Sequence, residues 1–287
     1  MNSNNLDYDE EESGTTQIGM NVVKIVDFTQ DRHEDSLGLG ADEEDYAVDY
    51  IGHGTFVAGL IGSLNPECPG IAPEAEIYIL KLFNDQEITY SAWFLDAFNF
   101  VLDNDIDIVN LSTASKDTKD NPFLEKIEEL TAAGVIVVSA IGNDGPTQGT
   151  AESPGDLPTV IGVGSLSFDF SRVSTFSSRG MSRKSALVNI GVPKPDVLLP
   201  GEELEGLSLE PGICRMHRGT SFSVPMLTGS IALVLSAIEL EHGTDFRKSV
   251  QNTALVKQAI IKSAVKLKDW SIVEQGAGKF NLDGFFN

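Results

Sequence analysis

A chain of 287 residues with 41% apolar side chains is long enough to bury one large α/β core, and one domain is the simplest division of it. Its 20 Lys and Arg against 43 Asp and Glu give a formal charge of −23, a field that repels nucleic acid and anionic membrane surfaces and favours basic partners. Cys68 and Cys214 are too few for a disulfide framework and are not spaced as a metal site, so their pairing and the redox compartment stay open.

Residues 1–18 carry Asp7, Asp9, Glu10, Glu11 and Glu12 with little apolar surface, and are expected to form an acidic disordered tail before a domain over 19–287. They lack the basic start and apolar stretch of a signal peptide, and no apolar run is read as a membrane span. From Val22 onward, short apolar runs alternate with amphipathic stretches, the pattern of a largely parallel sheet with helices on both faces. Strands are expected at Val22–Val26, Ile77–Leu82, Ile106–Leu111, Val135–Ala140 and Val160–Val163. Helices are expected at His53–Ser63, Ser91–Leu102 and Pro122–Ala133. The acidic cluster Asp42–Asp45 reads as a solvated loop. Thr220–Leu240 is apolar all round and predicts a buried central helix, with Pro225 in its first turns where a missing N–H does least harm. A last helix is expected at about Thr253–Val265.

In an open parallel sheet, reactive groups collect at the carboxyl ends of strands and the amino ends of the following helices. Asp27 ends the first apolar run, His53 opens a helix in Gly52-His53-Gly54-Thr55, and Ser221 opens the central helix after Gly219-Thr220. Singly these have ordinary explanations, since an Asp closing a strand forms turns and a Ser opening a helix caps it. Together they supply an anion, a base and a nucleophile in one chain.

The order Asp, His, Ser in these contexts resembles the subtilase family, over roughly Val22 to Asp283. Gly52-His53-Gly54-Thr55-Phe56-Val57-Ala58-Gly59 is similar to that family's histidine box. Gly219-Thr220-Ser221-Phe222-Ser223-Val224-Pro225 is similar to its serine box, and Ser139-Ala140-Ile141-Gly142-Asn143-Asp144-Gly145 to its asparagine segment. Within the family, Tyr90–Asn99, Val138–Pro146, Phe176–Met181 and both cysteine contexts resemble the site-1 protease group.

The resemblance implies a subtilisin-like α/β fold and a serine endopeptidase. Ser221 attacks a peptide carbonyl, His53 takes its proton, Asp27 fixes the imidazole, and Asn143 donates to the oxyanion. Leu111, Ser112, Thr113, Ala114 and Gly142 are the expected substrate-binding residues, with the strand end pairing to an extended peptide. The site-1 likeness further implies a proprotein convertase of the secretory pathway that prefers a basic residue near the cut. No cofactor is required and no metal ligands are assigned, although subtilases often carry structural calcium; a monomer is expected.

Two places depart from the family pattern. Phe28 and Thr29 follow Asp27 where a small hydroxyl residue and glycine are usual, so Phe28 is expected to crowd the site and Thr29 to bend the chain differently, with Asp31 and Asp35 as fallback partners of His53. Ala114 and Ser115 replace glycines at the mouth of the main specificity pocket and should hinder large groups. These departures keep open a second reading, a catalytically inactive subtilase fold that binds peptides or a partner. A nucleotide-binding domain fits less well, because Asp27-Phe28-Thr29-Gln30 stands where a glycine-rich phosphate loop would.

Overall fold

The structure is a computed structural model and describes residues 19–29, 48–117, 119–182 and 191–286. The acidic tail, Asp31, Asp35 and the Asp42–Asp45 cluster lie outside the described residues. In chain order the elements are β1 Val22–Asp27, α1 His53–Gly62, β2 Ile77–Lys81, α2 Ser91–Asp103, β3 Ile108–Leu111, α3 Asn121–Ala132, β4 Ile136–Ala140 and β5 Ile161–Leu166. There follow β6 Gly180–Met181, β7 Pro193–Lys194, β8 Val197–Pro200, β9 Leu204–Leu207, β10 Cys214–His217, α4 Thr220–His242, α5 Thr244–Val250, α6 Thr253–Ser263, α7 Ile272–Gln275 and α8 Leu282–Phe286.

The central sheet has the order β3-β4-β5-β8, all pairs parallel, and β1 pairs with β2 in parallel beside it. Every residue of β4 is buried, because both faces of the sheet are covered. Alternation along β4 separates the two layers: Ile136, Val138 and Ala140 pack with Val224, Leu227 and Ile231 of α4 and Ile260 of α6, while Val137 packs with Phe94 and Phe98 of α2 and Ile127 and Leu130 of α3. The expected subtilisin-like α/β architecture with helices on both faces is therefore present.

Differences from the sequence reading have local causes. β3 starts at Ile108 rather than Ile106, because Asp105 takes a positive φ of 51° and the Ile106 amide bonds back to the Val101 carbonyl, closing α2 before the strand begins. The reading that no run has membrane-spanning length needs correction: α4, 23 residues, is long and apolar enough by that test. It nevertheless packs against β3, β4, β5 and β8 and is mostly buried, so in this fold it is the core helix. The short antiparallel pairs β9-β10 and β6-β7 were not expected, since strands of two to four residues carry little periodicity.

Cys68 and Cys214 form a disulfide with Cα atoms 6.1 Å apart. It joins the loop after α1 to the start of β10, and hence the element that begins at His53 to the strand that leads into Ser221.

Candidate active site

α1 begins at His53 because Asp49 fastens its first turn. One carboxylate oxygen accepts from the amides of Ile51 (3.0 Å) and Gly52 (2.8 Å), the other from the amide (2.9 Å) and hydroxyl (2.8 Å) of Thr55. Gly52 sits at φ 89°, a left-handed angle that a side chain would strain. Burial alone would push the Asp49 carboxyl up, but these hydrogen bonds outweigh it and hold the group below its usual value.

The His53 ring is exposed on one side and packs on the other against Phe222, 5.4 Å between ring centres. Desolvation holds its pKa below the ordinary imidazole value; the negative charges of Asp49 and Glu87 oppose that shift, and His217 adds to it. The imidazole is thus biased toward the neutral form that can accept a proton.

Ser221 stands in the first turn of α4. Pro225 has no N–H to give to the carbonyl four residues earlier, so the Ser221 carbonyl lacks its helical partner. The Ser112 hydroxyl fills that place at 2.6 Å. Asn110 Nδ2 in turn donates to Ser112 Oγ (2.9 Å), and Thr228 Oγ1 donates to Asn110 Oδ1 (3.0 Å). This chain of bonds ties the end of β3 to two turns of α4.

Asn143 follows β4. Its Oδ1 accepts from the Thr220 amide (2.9 Å) and hydroxyl (3.0 Å), which fixes the side-chain amide and leaves Nδ2 free to donate elsewhere. Gly142, at φ 106°, lets the chain turn there.

His53, Asn143 and Ser221 line one cavity of about 690 Å³ together with Leu111, Ser112, Thr113, Ala114 and Gly142. Asp27 does not line it, although its register partner Lys81 does. The Asp27 carboxylate, 9% exposed, accepts from the Thr29 amide (2.8 Å) and hydroxyl (2.6 Å) on one oxygen and lies 3.5 Å from Lys81 Nζ on the other. Among the described residues no hydrogen bond or ion pair joins it to His53. Thr29 explains half of this arrangement, since glycine could not offer a hydroxyl. Phe28 does not crowd the site, because its ring packs edge-on against Phe100 of α2, 6.3 Å between centres. Thr29 does not take the positive φ that a glycine at that place would permit.

The subtilase family model matches residues 13–281. The chain belongs to the subtilase family. This subtilase is 44% identical over 239 residues to "Subtilisin-like protease SBT6.1" of Arabidopsis thaliana, which covers 83% of the chain and 22% of that protein. It is 43% identical over 234 residues to "Membrane-bound transcription factor site-1 protease" of Homo sapiens, covering 82% of the chain and 21% of that protein. The chain thus spans about a fifth of the length of these relatives. Among solved structures, that of "Patellamide maturation protease PatA" superposes with a TM-score of 0.68 at 26% identity, covering 82% of each chain.

Asp49, Glu87, Glu152 and His217 are cavity or cleft residues that the sequence reading missed. Only Asp49 had a readable signal, an acid placed to cap the turn before the histidine box. Among the described residues no group of three or more His, Cys, Asp or Glu side chains gathers as metal ligands.

Proposed function

We propose that this chain is a serine endopeptidase in which Ser221 attacks a peptide carbonyl, His53 accepts its proton, and Asn143 Nδ2 with the Ser221 amide at the start of α4 stabilises the oxyanion. The observation that carries this reading is the convergence of His53, Asn143 and Ser221 on one cavity, with Thr220 turning the Asn143 donor outward. Asp27 is the proposed orienting carboxylate. It reaches His53 by leaving Lys81 when substrate closes the site, since catalytic hydrogen bonds are often long in free enzymes and tighten on binding. All groups come from side chains and backbone of one chain, so the reaction needs no cofactor and the unit, residue 19 onward, works as a monomer.

The substrate is an extended polypeptide pairing with Leu111–Ala114, with a basic residue near the cut that suits the acidic cleft. The likeness to site-1 proteases and the disulfide, a bond that persists in oxidising compartments, support a convertase working in the secretory pathway. A second reading, an inactive fold that binds peptides, draws on the engagement of Asp27 with Thr29 and Lys81.

A fluorophosphonate probe, which labels only an activated serine, separates the two. Labelling of the wild type that is lost in Ser221→Ala and His53→Ala is the expected result. A folded wild type that stays unlabelled favours the binding protein.

A further inference from the structure

Arg179 is 2% exposed, the bulkiest of the fully buried side chains among the described residues, and no step of the proposed mechanism uses it. A buried guanidinium is costly to desolvate unless its charge and its N–H groups are engaged. Here Nη1 donates to Glu274 Oε1 (2.9 Å), Nε to the Ser177 carbonyl (3.1 Å) and Nη2 to the Ser174 carbonyl (3.0 Å), while the Trp270 ring centre lies 5.9 Å from Cζ. Glu274 is fixed in turn by the amide (3.1 Å) and hydroxyl (2.6 Å) of Ser271, which caps α7. The cation therefore clamps the turn of residues 174–177 to α7.

That turn leads directly into the residues that hold Asn143, which grip the chain on both sides of it. The Ser178 amide donates to the Gly142 carbonyl (3.0 Å), the Ser178 hydroxyl accepts from the Asp144 amide (3.0 Å), and the Phe176 carbonyl accepts from the Gly145 amide (2.8 Å). The fit has no slack. A side-chain carbon at Gly142 would meet Ser178 Oγ at 2.8 Å, and one at Gly145 would meet the Ser177 carbonyl oxygen at 2.2 Å. Thr220 aims the Asn143 side-chain amide and adds a longer bond to the Gly142 carbonyl (3.2 Å), whereas residues 176–178 fix where the backbone on either side of Asn143 stands.

Placement matters because an oxyanion donor works by being preorganised, and a displacement of about 1 Å in a catalytic group can lose on the order of 100-fold in rate. Lysine in place of Arg179 keeps the charge but offers one ammonium point, where the guanidinium serves a carboxylate and two carbonyls from three separate nitrogens.

We propose that Arg179 is a positioning residue of the oxyanion site: it sets residues 174–178, and these hold Asn143 where its Nδ2 meets the developing charge. The assignment rests on the peptidase reading and adds to it a residue that never touches substrate.

The test measures the rate of fluorophosphonate labelling of Ser221, because the phosphonyl oxygen of the probe takes the place of the carbonyl oxygen at the oxyanion site. Arg179→Lys and Ser178→Ala are compared with the wild type, each alone and combined with Asn143→Ala, at a temperature well below every thermal midpoint. Arg179→Lys alone should lose about 10- to 100-fold in labelling rate and Ser178→Ala alone about 3- to 10-fold. Both losses should shrink to less than about 2-fold once Asn143 is replaced, the non-additivity of residues that act as one unit. A merely structural role would lower the midpoint and slow labelling alike in both backgrounds. Labelling at the wild-type rate in either single variant, or a loss that is the same in both backgrounds, overturns the proposal while the peptidase reading stands. Should Arg179→Lys not fold, Glu274→Gln, which keeps an acceptor for the guanidinium but removes its charge, takes its place with a loss of about 3-fold and the same two overturning results. A wild type that does not label, or an Asn143→Ala variant that labels like it, takes the peptidase mechanism down together with this proposal.

Discussion

The Ser112 hydroxyl donates at 2.6 Å to the Ser221 carbonyl, the one that Pro225 leaves without a helical partner. A residue just past the end of β3 thereby closes the first turn of α4. Ser112→Ala leaves that carbonyl without its partner, at a cost of about 1–3 kcal/mol if water does not enter. The expected result is a lower thermal midpoint and a fall in kcat larger than any rise in KM, measured by calorimetry and steady-state kinetics. A rise in KM alone, with kcat unchanged, would mean that Ser112 acts only on substrate.

Asp27 and Lys81 end the paired strands β1 and β2 in register and form an ion pair, so in the proposed mechanism His53 must win the carboxylate from the ammonium. Asp27→Asn should lower kcat by about 10,000-fold, the loss associated with a wrong imidazole tautomer in a Ser-His-Asp triad. Lys81→Met should raise the rate of fluorophosphonate labelling several-fold. If Asp27→Asn labels like the wild type, Asp27 does not orient His53.

Replacing Asn143 by Ala removes a proposed oxyanion donor and should cost 100- to 1,000-fold in kcat, a magnitude known from subtilisin, another member of this family, and adopted here from it. Thr220→Val keeps the donor and the backbone bond to Asn143 Oδ1 but removes the hydroxyl bond, so its loss in kcat should be smaller, with KM nearly constant. Equal losses in the two variants would show that Thr220 does more than orient Asn143.

The general base must be neutral, so kcat/KM should rise as His53 loses its proton. Desolvation lowers that pKa, and the midpoint of the acid limb should therefore fall below 6.5. Glu87→Gln removes a charge that raises the pKa and should move the limb further down, whereas His217→Gln removes one that lowers it and should move the limb up. Shifts in the reverse directions would exclude His53 as the group titrated.

The parts of the site that the sequence made legible are those set by local constraint. Glycines beside His53 and at Gly142, a serine opening an apolar helix and a proline one turn later each have a fixed backbone reason, and the structure places His53, Asn143 and Ser221 on one cavity accordingly. The surroundings of Asp27 were not legible, because they depend on a register that sets Lys81 opposite it and on which way the Thr29 hydroxyl turns. Glu152 was hidden for the same reason. Its carboxyl lies against Gly142 after β4, and its neighbour Ser153 pairs with Ser115 after β3, so loops from two strands place it.

The disulfide closes a ring from Cys68 to Cys214 that encloses Asn143 and Glu152, while His53 precedes it and Ser221 follows it. A peptidase is exposed to cleavage by its own copies, and a single cut anywhere inside that ring leaves the His53 and Ser221 fragments covalently joined. Such a nicked molecule runs at full mass until it is reduced. Gels run with and without thiol therefore differ by the fraction of molecules nicked inside the ring, whatever peptidase made the cut.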